Sequence, residues 1–245
     1  MGKLFHRLLY RLLSLEGYLR VVSRLFFLTR ALGIGRRGRA LEYNYHLPNL
    51  VSRGATAIDI GANLGYYTRP LADIVGAEGR VYAVEPVPVI FDVLKRNTSG
   101  RENVTLLNYA LGSEERTIEM ANDSVAAAGY FGTGRNFVSD GELSGEAIRF
   151  SAQMVQGSKL FAEIGKIDFI KCDIEGYERV VIPEMRAIIE QHHPTVLIET
   201  DGDTRCEIIA MFTEMGYRAY MLQDGREVAL DKESDKDIIF RYFRE

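Results

Sequence analysis

The chain has 245 residues, 47% hydrophobic and 26% charged, with 30 Lys+Arg against 34 Asp+Glu for a net charge of −4. This is the make-up of one globular domain and excludes disordered, collagen-like and disulfide-stapled classes. No run without a charged residue exceeds 11 residues, the length of 124–134, against the roughly 20 that a bilayer-crossing helix requires.

Cys172 and Cys206 are the only cysteines. They are too few for a disulfide framework, and the start lacks a compact apolar core with a small-residue cleavage site. The expectation is a reduced, cytoplasmic protein, or one held peripherally at the inner membrane surface. The charge is unevenly spread. Residues 1–39 carry nine Lys/Arg and one acid, Glu16, so +8, which leaves −12 for residues 40–245. That division predicts a basic amphipathic helical arm and linker over 1–39 and a domain over 40–245.

Within the arm, Leu4, Leu8, Leu12 and Leu15 share one helical face while Lys3, Arg7 and Arg11 share another. After Gly17 a second stripe of Leu19, Val22, Leu25, Phe26 and Leu32 runs out of phase with the first, which predicts two short helices. Residues 1–32 suit packing on the domain, contact with a second copy in a homo-oligomer, or docking on an anionic membrane surface. Gly33, Gly35 and Gly38 among arginines read as a linker.

From Ala55 the chain alternates short β-branched or aromatic runs with longer helical patterns, which predicts an α/β fold with a mostly parallel sheet. The candidate strands are Ala55–Ile60, Arg80–Val84, Val104–Ala110, Ile167–Cys172, Thr195–Glu199, Tyr217–Leu222 and Asp237–Tyr242. Helices are expected over Leu64–Val75, Val87–Asn97, Tyr177–Gln191 and Thr204–Met215. Strand-like runs at Thr117–Met120 and Ala147–Ser151 flank a loose stretch, Ala121–Gly145, that suits a surface loop or lid.

The first strand ends in Asp59-Ile60-Gly61-Ala62-Asn63-Leu64-Gly65-Tyr66-Tyr67-Thr68, a glycine turn that feeds a helix. In open α/β sheets ligands sit outside the carboxyl ends of the strands, where glycines let ligand and backbone approach. Twenty residues past Gly65, Glu85 closes the second strand, where a carboxylate can accept both hydroxyls of a ribose. A dinucleotide turn requires a second glycine to clear its pyrophosphate, and Asn63 stands in that place. Asp59 and the nearby amides suit an amino-acid head group instead. S-adenosylmethionine has both parts.

These passages, with Val84-Glu85-Pro86 and Ile167-Asp168-Phe169-Ile170-Lys171-Cys172-Asp173-Ile174-Glu175-Gly176-Tyr177-Glu178, resemble the FkbM-type S-adenosylmethionine-dependent methyltransferases over roughly Ala55 to Thr200. The resemblance implies a Rossmann-like class I methyltransferase fold, a mostly parallel seven-stranded sheet with an antiparallel last strand. It also implies methyl transfer to a substrate hydroxyl. Carried over, Asp59, Gly61, Asn63 and Gly65, with Thr68 closing the motif, would line the methionine and ribose side, and Glu85 would hold the ribose. Asn108-Tyr109-Ala110-Leu111-Gly112 resembles the adenine-edge turn, through Ala110. Where the family often has Thr-Leu-Asp before the fourth strand, this chain has Ser151-Ala152-Gln153-Met154.

A hydroxyl attacks better as its proton is removed, so a base or a metal is expected. Asp173, at the tip of the fourth strand, is the first candidate, followed by Glu175 and Glu199 and by His46, His192 and His193. Asp173 and Glu175 could instead orient the cofactor, Asp173 then counting among its ligands, or cap the following helix. Asp173, Glu199 and Asp201 at neighbouring strand ends could hold Mg²⁺, though spacing alone assigns no metal ligand. Cys172 reads as a small buried side chain.

The reading that follows is O-methylation of a small-molecule, glycan or lipid hydroxyl, on a sugar, glycolipid or secondary metabolite. The alternatives are a membrane-associated scaffold with a vestigial cofactor fold and a nicotinamide-dependent oxidoreductase, the latter disfavoured by Asn63 and by the lack of a Tyr-x-x-x-Lys pair. Nucleic acid is not expected as a partner, because the body is acidic.

Overall fold

Each of the seven runs expected as strands contains one in the computed structural model, which describes residues 2–36, 38, 41–139, 147–231 and 234–243, although the run Val104–Ala110 is a strand only to Leu107 and Ala110 opens another. From the N-terminus, α1 (Lys3–Leu12), α2 (Leu15–Ala31) and α3 (Glu42–Leu50) precede β1 (Thr56–Ile60). Next come α4 (Thr68–Val75), β2 (Arg80–Val84), α5 (Pro88–Asn97), β3 (Val104–Leu107), β4 (Ala110–Leu111) and β5 (Arg116–Asn122). α6 (Ser124–Ala128), β6 (Asn136–Val138), β7 (Ile148–Val155), α7 (Gly157–Leu160), β8 (Phe169–Cys172) and α8 (Glu178–Glu184) follow. The chain closes with α9 (Arg186–His192), β9 (Thr195–Ile198), α10 (Gly202–Glu214), β10 (Tyr217–Gln223), β11 (Arg226–Ala229) and β12 (Ile238–Tyr242).

The main sheet has the order β11-β10-β12-β9-β8-β1-β2-β3. The five strands from β3 to β9 are parallel, whereas β12 runs antiparallel to both β9 and β10. The expected antiparallel last strand is therefore present, but the sheet has eight strands. β11 is the addition. It pairs with β10 across the two-residue turn Asp224-Gly225, both at positive φ, the left-handed geometry that closes a tight hairpin.

Alternation along the strands divides the core. Ile58, Ile60, Ile170, Cys172 and Val196 face Val181 and Ile182 of α8 and Ile208 and Phe212 of α10. Ala57, Phe169, Leu197 and Ile239 face Leu47 of α3 and Leu71 and Val75 of α4. The period of two that marks a strand thus places successive residues in opposite layers.

Three expectations are corrected. Tyr177–Gln191 is not one helix but α8 and α9, which meet at Met185 beyond Pro183, a residue with no N–H to carry the helical ladder on. The stretch read as loose instead contributes α6 and β6, and β4-β7-β5-β6 form a second sheet. Residues 140–146 of that stretch lie outside the described residues. Helix α3 was not anticipated; Tyr43 Oη anchors it by donating to the Asp237 carbonyl at 2.6 Å while accepting from Leu222 N at 3.1 Å.

The arm forms two helices as expected. Tyr18 and Leu19 of α2 are buried with Val87, Ile90 and Val93, and Glu16 meets Arg96 at 3.2 Å. By contrast, α1 has no buried residue. Among the described residues no helix is long and apolar enough to cross a membrane.

Candidate active site

The chain order reverses between β1 and β8, the place where an open parallel sheet leaves a crevice at its carboxyl edge. Two residues fix that crevice. Gly61 has φ +75°, and a Cβ there would stand 1.9 Å from the Asp173 carbonyl oxygen, so only glycine lets the β1 and β8 tips come this close. Asn63 follows at φ +52°. Its Oδ1 accepts from Leu64 N at 2.8 Å and its Nδ2 donates to Thr133 O at 3.4 Å.

Glu85, at the tip of β2, is buried. Oε2 accepts from Asn63 N and Oε1 from Val87 N, each at 2.9 Å. Burial pushes its carboxyl up to about 7 despite those two bonds. Each oxygen has a lone pair left over, so an ionised Glu85 can take two further donors.

A cavity of about 530 Å³ opens at this edge, within the usual range for small-molecule sites. Gly61, Asn63, Glu85, Tyr109 and Ala110 line one side, and Asp173, Glu175, Arg179 and Glu199 the other. Thr133, Gly134, Asn136 and Phe137 form a further wall.

Behind the acidic side lies Lys171, buried in β8, with Nζ 2.7 Å from Asp173 Oδ2 and 4.9 Å from the centre of the Tyr67 ring. Burial opposes its charge, but the Asp173 and Asp59 carboxylates prevail and raise its proton affinity. Glu175, at φ +55°, is pushed up to about 7 by burial and then by Asp173 and Glu178. Glu199 is raised to about 7 by burial and by Asp173 and Asp237. Asp237 is raised to about 6, chiefly by burial. The site thus concentrates carboxylates around one buried ammonium, and those without a cation of their own hold protons near neutrality.

Of the residues expected to act, Gly61, Asn63, Glu85, Ala110, Asp173, Glu175 and Glu199 line this one cavity. Asp59, Gly65 and Thr68 are not among its lining residues. Asp59 is fully buried and accepts from Thr68 Oγ1 at 2.6 Å. Gly65 turns toward α5, where a Cβ would meet Leu94 Cδ1 at 3.1 Å. Helix capping by Asp173 or Glu175 is not observed: Ile174 N donates to Glu178 Oε1 at 2.8 Å, and α8 has no side-chain cap. His46 is bound to Glu227 at 2.9 Å, His192 ends α9, and His193 stacks on Tyr242. Asp201 is an exposed residue preceding α10. No group of three or more His, Cys, Asp or Glu among the described residues could hold a metal ion.

Sequence reading did not single out Lys171, and it named the stretch that holds Thr133 to Phe137 only as a surface loop or lid, without its residues. Lys171 had one usable signal, a lone cation in a central strand two residues before a strand-tip acid. The residues of the wall had none.

The FkbM methyltransferase domain family matches residues 59–219. A crystal structure of methyltransferase FkbM from Methylobacillus flagellatus resembles this one with a TM-score of 0.51 at 14% identity, over 79% of this chain and 45% of that one. Protein-L-isoaspartate O-methyltransferase of Methanococcoides burtonii is 33% identical over 60 residues, 24% of this chain and 30% of its own length. Protein-L-isoaspartate O-methyltransferase 1 of Archaeoglobus fulgidus is 39% identical over 56 residues, 22% of this chain and 26% of its own. The matched part is therefore under a third of the length of these curated relatives.

Proposed function

Since the chain belongs to the FkbM methyltransferase domain family, whose members are S-adenosylmethionine-dependent and class I in fold, we propose that it methylates a hydroxyl oxygen of a sugar, glycolipid or secondary metabolite. The residues present fit the cofactor. Glu85 offers a buried carboxylate with acceptor capacity for two ribose hydroxyls, Gly61 and Asn63 shape the turn beneath it, and Ala110 lies across the same cavity. Asn63 fills the place that a pyrophosphate would need, and the nicotinamide alternative falls with the family assignment.

When bound, S-adenosylmethionine supplies an electrophilic methyl group on sulfur. The chain's own part is to bind, orient and deprotonate. Glu85 anchors one end of the cavity, and the Lys171–Asp173 pair fixes the tip of β8 at the other. Glu175 or Glu199 then takes the proton of the attacking hydroxyl, since a base works best when its proton affinity lies near the working pH.

The observation that carries this reading is the pair Glu175 and Glu199, both held near neutrality by burial and by Asp173, on the same cavity as Glu85. The test is transfer of label from methyl-tritiated S-adenosylmethionine to separated sugar, lipid and small-metabolite fractions, followed by mild alkali. An ether methyl on a former hydroxyl survives alkali. Label released as methanol would mark a carboxyl ester, and label recovered on nitrogen an amine acceptor; either overturns hydroxyl methylation.

A further inference from the structure

Helix α1 carries ten residues and buries none of them. Its inward side is short and aromatic: His6 Nδ1 lies 2.8 Å from Tyr18 Oη, and its ring stacks on Tyr130 at 5.0 Å between centres. Its outward side is apolar, with Leu4 80%, Leu8 55% and Leu12 71% exposed. These three recur every fourth residue and so form one stripe. Apart from Phe243, every exposed large hydrophobic among the described residues lies between Leu4 and Ile34.

Lys3, Arg7 and Arg11 fall on one edge of that stripe at helical spacing, and α1 contains no acid. Leucines bordered by cations, on a helix too short to span, is the pattern of a helix lying in the plane of a lipid interface. We propose that α1 docks this protein on an anionic lipid bilayer, with its leucines among the acyl chains and its basic edge at the headgroup phosphates.

A second copy of the chain fits this face less well. Pairing two α1 stripes would bring two all-basic edges together, and among the described residues the exposed large apolar side chains outside α1 are Leu13, Leu28, Leu32 and Ile34 of the same basic arm and the lone Phe243. An anionic bilayer satisfies both halves of the face at once. The placement also bears on the pocket. Arg7 Nε donates to Ala128 O at 2.7 Å, and the segment that follows supplies Thr133, Gly134 and Phe137 to the cavity wall. The docked helix would be tied directly to the side of the cavity.

The test is co-sedimentation of the full chain with phosphatidylcholine vesicles, with and without phosphatidylglycerol, alongside titration with S-adenosylhomocysteine. The expected result is binding to the anionic vesicles only, weakened by salt. Leu8→Asp should lower that partitioning on the order of tenfold or more and leave S-adenosylhomocysteine affinity unchanged. The proposal is overturned if the folded wild type stays in the supernatant, binds both vesicle types alike, or sediments equally well as Leu8→Asp. It is also overturned if the lipid-free protein is a dimer that Leu8→Asp splits. Intact cofactor binding without vesicle binding would remove the docking helix and leave the methyltransferase reading standing.

Discussion

Gly61 and Asp173 are in backbone contact across the β1–β8 crevice: nothing larger than a hydrogen fits between the Gly61 Cα and the Asp173 carbonyl. The contact joins the cofactor turn to the acidic edge of the cavity, so a change at one is felt at the other.

Gly61→Ala is therefore expected to damage both stability and binding. The methyl group would stand 1.9 Å from a backbone oxygen and demand φ +75° of an alanine. Left-handed backbone and overpacking together should cost about 2–5 kcal/mol. Urea unfolding reads the stability loss, and calorimetric titration with S-adenosylhomocysteine should show weakened or absent binding in the fraction that folds.

The ribose contact proposed for Glu85 predicts a cofactor affinity that depends on pH. With its carboxyl near 7, only the ionised form can accept two ribose hydroxyls, so affinity should rise as pH rises through about 7 and protons should be released on binding. Glu85→Gln should weaken binding and flatten this dependence. The apo protein should show the opposite trend in stability. Because the folded pKa lies above the unfolded one, the native state holds the extra proton between about 4.5 and 7, and the Glu85 contribution worsens with rising pH by about 3 kcal/mol. The difference between wild-type and Glu85→Gln unfolding curves, measured from pH 5 to pH 8, isolates that slope.

Among the described residues, Lys171 is the cation paired with Asp173, at 2.7 Å. Lys171→Met would leave Asp173 and Asp59 facing each other without an ammonium, and loss of one partner of a buried pair costs about 3–5 kcal/mol. The loss should shrink as the pH falls, because Asp59, already raised by burial, takes up a proton more readily once the ammonium is gone. A loss that stays constant with pH would count against this account.

Glu175 and Glu199 can be told apart by kinetics once an acceptor is in hand. Replacing the base with glutamine should lower kcat with little effect on S-adenosylhomocysteine affinity, and should remove the fall in rate below about pH 7. Replacing the other should leave that acid limb in place.

The central strands β1, β8 and β9 were legible because they are buried on both faces, as Ala57 and Asp59 are on one side of β1 and Ile58 and Ile60 on the other. β11 was hidden by its own charges, Arg226 and Glu227, although the Asp224-Gly225 turn ahead of it is a hairpin signal. Of the second sheet, β5 and β7 were visible as the strand-like runs Thr117–Met120 and Ala147–Ser151, but β4 and β6, two and three residues long, are too short to show a pattern. At the site, acids at strand tips could be read from position alone. What could not be read was direction: Gly61 and Gly65 look equivalent in the motif, yet one faces the crevice and the other faces α5. The pairing of Lys171 with Asp173 had only the spacing of a cation two residues before a strand-tip acid to announce it, and its strength depends on burial that this spacing does not encode.

Ahead of the family-matched region, Arg30 Nε donates to Asn44 Oδ1 at 2.6 Å, and Asn44 Nδ2 donates to Tyr66 O at 2.9 Å. The cofactor turn is thus splinted from outside by α2 and α3, with Phe26 set against the Tyr66 ring at 4.2 Å between centres. A fragment trimmed to residues 59–219 would keep every glycine of the turn and lose the brace that holds its far end.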